Sequence, residues 1–146
     1  MENPTISAFL TDEHRNIHTL FEQAGNAGCD DDGRAFMALH TAVTRNLGIE
    51  EQVLFEPFEE RMGEDGPIAV MRAEHDRIRI LLARAAEERA CRSSAAFRTA
   101  LNTLAATIRD HHAREENVLC PTLDTLFATE RDDLLEAMEA MAGVQY

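Results

Sequence analysis

No run of apolar residues in this chain reaches the ~18–20 needed to cross a bilayer, which leaves no candidate membrane-spanning helix. The amino terminus, Met1-Glu2-Asn3-Pro4, lacks a basic stretch followed by an apolar one, so no secretory signal is expected. Cysteine is scarce. Cys29, Cys91 and Cys120 are odd in number, widely spaced and without a Cys-x-x-Cys pair, which reads as reduced thiols in a cytoplasmic protein. Basic residues are also outnumbered, with 14 Lys and Arg against 27 Asp and Glu and a net charge of −13. That balance argues against nucleic-acid binding, which needs clustered basic side chains. It repels anionic substrates and attracts cations at low ionic strength. No glycine-rich phosphate loop and no nucleophile with a paired base is present.

What the chain does have is helical periodicity. At 146 residues and 45% hydrophobic it is long enough for one domain with a true core. The first helix is expected from Thr5 or Ser7, either of which can cap it, to about Gly25, with Ile6, Phe9, Leu10, Ile17, Leu20 and Phe21 as its apolar stripe. A second runs from about Asp32 to Arg61, and Pro57 is expected to kink it or tighten its last turns. The third starts at Pro67 and ends near Arg89, and the fourth covers Ser94 to Phe127 behind a Ser93 cap. Thr129 to Asp132 resembles a capping box that opens a short fifth helix, with Leu134, Leu135 and Met138 lidding the rest. The fold class expected is all-α: an antiparallel up-down-up-down four-helix bundle with a short fifth C-terminal helix.

The polar residues inside these stripes carry the function. From Ile108 to Cys120 nothing interrupts the fourth helix, and His111 and Glu115 lie one turn apart on its apolar face with Leu101, Leu104, Ile108 and Leu119. An imidazole and a carboxylate in a buried stripe are costly unless compensated, and a divalent transition metal compensates both. The chain also repeats itself. Glu13-His14-x-x-Ile17-x-x-Leu20 recurs as Glu74-His75-x-x-Ile78-x-x-Leu81, and Asn46, Glu50, Glu51 and Leu54 recur as His111, Glu115, Glu116 and Leu119. A single domain of residues 1–146 is therefore expected to contain two pseudo-repeats, about 5–62 and 66–127, plus a C-terminal helix over 129–142. Facing helices would then aim His14, Glu50, His75, His111 and Glu115 inward. That is the pattern of a carboxylate-bridged dinuclear site, suited to iron or manganese, with zinc possible.

These residues resemble the hemerythrin-like family, the HHE cation-binding domains, over nearly the full chain. The family pattern of His followed by His-x-x-x-Glu, repeated once, is matched at His14, Glu50, His75 and His111-x-x-x-Glu115. Both Glu-Glu-x-x-Leu runs with a proline close behind also belong to it. The resemblance implies a non-haem di-iron centre that binds or detoxifies dioxygen, nitric oxide or peroxide, or that senses or stores iron. Asn46 departs from the pattern, standing where the family has the histidine of the first His-x-x-x-Glu. His18, one turn beyond His14, is the expected replacement ligand, since antiparallel first and second helices would bring it to the layer Asn46 vacates. Arg79 stands where oxygen-carrying hemerythrins have a second histidine on the third helix, which weakens the case for reversible oxygen carriage relative to metal binding.

Blander roles account for the remaining polar residues. His40 and His112 fall off the inner face by helical geometry and are expected at the surface or behind the ligands. Glu51, Glu116, Glu13 and Glu74 are either solvated or accept hydrogen bonds from ligand histidines. Asp30-Asp31-Asp32 lacks the spacing of a calcium loop and reads as a solvated helix start. Cys120, where the family usually has phenylalanine, reads as a small buried apolar residue. Other functions open at this point are a metal or redox sensor with a protein partner, a peroxidase-type enzyme, and a bundle with a reduced, one-metal or structural site.

Overall fold

The computed structural model describes residues 4–29, 33–64 and 66–143, and among these there is helix and no strand. Asp30, Asp31 and Asp32, read above as a helix start, lie outside the described residues. Helix α1 spans Ile6–Ala27. The Thr5 side chain caps it, accepting from the Ala8 N–H at 3.0 Å. The helix continues past Gly25, beyond the expected end, and stops at Gly28, whose φ of 59° suits a residue without Cβ.

Helix α2 (residues 34–62) is composite: α-helical over Arg34–Ile49, π-helical over Glu50–Phe55 and α-helical again over Glu56–Met62. Pro57 was expected to kink or tighten this helix; the turns before it are instead widened. Helix α3 spans Pro67–Ala90, with proline in its first turn where a missing N–H costs nothing. Helix α4 (residues 94–126) repeats the composite plan, with Ser94–Arg114, a π segment over Glu115–Leu119, and Cys120–Leu126. Helix α5 covers Arg131–Ala142. The capping box expected at Thr129 does not form, and Glu130 precedes α5 without a side-chain cap. Its carboxylate is engaged by Arg61, which also donates to the Leu126 carbonyl at 2.8 Å.

α1 packs chiefly on α2, and α3 on α4, while α4 also touches α1. The apolar stripes meet in two clusters. One gathers Ile17, Phe21, Leu39, Val43, Ile78, Leu82, Phe97, Leu104 and Ile108. The other gathers Leu10, Ile49, Leu54, Phe58, Met71, Leu119 and Leu123, and α5 adds Leu135 and Met138. The buried polar residues His14, Asn46, Glu50, His75, His111, His112 and Glu115 come from helix positions between the two sets. A layer of seven buried polar side chains is the feature that demands explanation.

Candidate metal centre

Both glutamates of the layer open a π segment, Glu50 in α2 and Glu115 in α4. The backbone has a reason to widen there. Pro57 and Pro121 have no N–H, so the carbonyls of Val53 and Asn117 lose their ordinary donors four residues on. In α4 the Cys120 N–H bonds the Glu115 carbonyl, five residues back. The wider turn also lets Val53, Leu54 and Phe55 all be buried in succession, which 3.6-residue periodicity does not allow for a helix lying on one face.

Glu50, His75, His111 and Glu115 each bring one ligand atom to within 4.8 Å of the others, and none is more than 1% exposed. His75 Nε2 lies 3.1 Å from Glu50 Oε1, and His111 Nε2 lies 3.2 Å from Glu115 Oε2. The opposite oxygens face another histidine: His14 Nε2 is 3.1 Å from Glu115 Oε1 and 3.9 Å from Glu50 Oε2. Each carboxylate thus presents one oxygen to the His75–His111 side and one to the His14 side. Several of these atoms are close without being hydrogen-bonded. Glu50 Oε2, both Glu115 oxygens, His14 Nε2 and His111 Nε2 are sealed from solvent with no partner aligned to them. An orphaned buried polar group costs about 1–3 kcal/mol. Lone pairs that converge on a common space rather than on one another fit a metal ion, and the imidazole and carboxylate donors suit one.

Outer carboxylates hold the rings. His75 Nδ1 donates to Glu51 at 2.7 Å and His111 Nδ1 to Glu74 at 2.8 Å, which leaves each Nε2 lone pair facing the layer. Arg79 grips Glu51 through two hydrogen bonds, of 2.8 and 3.0 Å, and Arg114 pairs with Glu74. Burial works against these two carboxylates, but their arginine and histidine partners outweigh it and hold both below the usual range. His14 Nδ1 has a looser neighbour in Glu116, at 3.4 Å.

Without metal, the layer needs positive charge from protons. Burial opposes a charged His14, yet Glu115 and Glu50 overcome it and push the ring up to about 10. His111 is raised for the same reason. Of the two carboxylates, burial and the Glu115 charge push Glu50 up, while the close His111 and His14 rings overcome burial and hold Glu115 down.

A model of the hemerythrin HHE cation-binding domain matches residues 5–123. The chain belongs to that family. No curated protein and no solved structure matches it. Of the ligand positions named from the sequence of this HHE domain, His75, His111, Glu50 and Glu115 share one cluster, and His14 meets it through the two carboxylates. His18 is exposed, outside the buried layer, and its ring meets His112 edge-on at 5.6 Å. Asn46 is buried with both amide atoms unpartnered. Of the two places expected for His112, at the surface or behind the ligands, the first is wrong: it is 3% exposed and lies flat on His14, with ring centres 3.6 Å apart and planes 8° from parallel. Its signal was in the sequence, because His112-x-x-x-Glu116 is a second His-x-x-x-Glu one step out of phase with the first. Burial and the neighbouring His14 charge push His112 down to about 2, so its ring is neutral. Burial, with the Glu115 charge, pushes the Cys120 thiol up to about 12.

Proposed function

We propose that this HHE domain is a non-haem dinuclear metal protein, with iron as the metal, that binds or detoxifies a small ligand such as dioxygen, nitric oxide or peroxide. One observation carries the reading: Glu50 and Glu115 each turn one oxygen toward His75 and His111 and the other toward His14. That division is what two bridging carboxylates require. His75 and His111 would hold one ion and His14 the other. Iron in such a site supplies open positions for a small ligand, together with redox capacity. The protein's part is to fix the imidazoles through Glu51 and Glu74, to seal the layer between two apolar clusters, and to exclude bulk water.

We read the four long helices as an antiparallel up-down-up-down bundle, one domain made of two pseudo-repeats with α5 appended. The pairing of α1 with α2 and of α3 with α4 supports this. No described helix is long and apolar enough to cross a membrane. Unpaired cysteines support a cytoplasmic setting, and the acidic surface supports a partner that is a small molecule rather than nucleic acid.

Asn46 favours a second reading, a site reduced to one metal or to a structural role. Metal analysis of protein purified without chelator or metal-binding tag separates the two. Two irons per chain support the dinuclear site, one supports the reduced site, and none overturns both. Adding peroxide or nitric oxide to the reduced, iron-loaded protein tests ligand chemistry, and an unchanged visible spectrum would reject it.

A further inference from the structure

Resting on the dinuclear reading, we propose that His112 supplies the metal ligand that Asn46 does not, on the His14 side of the Glu50–Glu115 pair. The duplicated sequence makes the case first. The register that pairs Asn46 with His111 and Glu50 with Glu115 pairs Leu47 with His112. Leu47 is 2% exposed, so the fold accommodates a plain apolar side chain at this place in its first half. An imidazole in the same place in the second half is an expensive substitute unless its nitrogens are used. Nδ1 of His112 is sealed from solvent and has no hydrogen-bond partner. The first half has lost a histidine from the layer and the second half has gained one, next door.

Position agrees with this compensation. His112 lies face to face with His14, the one histidine whose side of the layer lacks a second imidazole, while His75 and His111 serve the other side. Glu116, one turn along from His112, stands beside His14 Nδ1. His111-x-x-x-Glu115 and His112-x-x-x-Glu116 therefore divide between the two sides of the centre. His18, the alternative donor on α1, is exposed. The outer support for an imidazole at position 46 is still in place. Glu13, the repeat partner of Glu74, stands close enough to Asn46 for its amide to favour the Glu13 carboxylate, and its Oε1 is buried without a partner.

The test is zinc(II) binding to the full chain, read as stoichiometry by calorimetry and metal analysis. Wild-type protein is expected to take up two zinc ions per chain, His112→Leu one, and His18→Ala two. The exchange variant His112→Leu/Asn46→His is expected to recover the second ion, with Glu13 receiving the new ring's Nδ1–H. If His112→Leu keeps both ions at unchanged affinity, or the exchange variant stays at one, the proposal fails while the dinuclear reading stands. Wild-type protein that binds one zinc overturns the second position altogether, and protein that binds none overturns the metal reading with it. Should His112→Leu fail to fold, nitrogen NMR on the wild type decides. The His112 Nδ1 resonance is expected to move with the second equivalent of zinc and not with the first, and a resonance that never moves rejects the proposal.

Discussion

The Glu51 carboxylate sits between His75, whose Nδ1 is 2.7 Å away, and Arg79, which holds it by both terminal nitrogens. Arg79 thus acts on His75, a member of the buried cluster, through Glu51. Partners of this kind typically contribute ~10–100-fold to metal affinity. Glu51→Ala is expected to weaken binding by that order, and Arg79→Ala by less, because Glu51 then keeps one of its two partners. Competition with a chromophoric chelator measures both. Unchanged affinity in Glu51→Ala would show that the His75 ring is oriented by packing alone.

Metal removal should soften the fold. An ion that binds only the native state adds roughly 4 kcal/mol at a free concentration a thousand times its dissociation constant. Chelated protein is therefore expected to melt well below the metal-loaded form, and re-addition of ferrous iron under anaerobic conditions should restore the transition. Equal melting temperatures would mean that the layer holds no ion in the native state.

The metal-free protein should also respond to pH in a defined direction. His14 is raised to about 10 in the fold by Glu115 and Glu50, from an unfolded value of roughly 6.5. Its contribution to stability is fully present below the unfolded value and is lost as pH rises through about 10. The metal-free form is expected to lose stability between neutrality and pH 10, while the loaded form, in which a metal ion replaces the proton, should be flatter over that range. Loading near neutral pH should release protons, and titrations in buffers of different ionisation enthalpy count them. A metal-free melting temperature that rises steadily to pH 10 contradicts the assignment.

Thiol chemistry offers a simple check on packing. Cys91 is exposed, whereas Cys29 and Cys120 are buried, and Cys120 is held protonated up to about pH 12. A disulfide reagent on the native protein should find one fast thiol per chain, lost in Cys91→Ser, and the other two only on unfolding. Fast modification of Cys120 in folded protein would contradict its burial beside Glu115.

Core truncation should distinguish the scaffold from the centre. Leu104 is fully buried in the apolar cluster away from α5, and its truncation to alanine is expected to cost about 2–5 kcal/mol. Chemical denaturation measures that loss. The folded fraction should still bind metal with the wild-type stoichiometry, because Leu104 belongs to the apolar cluster and not to the polar layer. A change in stoichiometry would tie that cluster to the geometry of the ligands.

Much of this protein was legible in one dimension. Apolar spacing near 3.6 residues marked five helices, and the duplicated spacing picked out His14, Glu50, His75, His111 and Glu115, because residues a turn apart share a face whatever packs against it. The same wheel left Glu51 and Glu74 either solvated or accepting from histidines, and the contacts of His75 and His111 chose the second. The wheel went wrong where the helix stopped being uniform or had two neighbours. Widened turns at Glu50 and Glu115 arise as prolines downstream withhold their N–H groups, and they shift every residue that follows. His112 points a step away from His111, which a one-sided helix would give to solvent. α4 contacts α1 as well as α3, so that step leads onto His14 instead. His18 shows the converse, since spacing put it near the ligands and packing left it exposed. Local periodicity determined which side chains could face inward. Which oxygen of each carboxylate meets which histidine, and which histidine stands beside His14, depended on contacts between helices distant in the chain, and only the tertiary structure decided them.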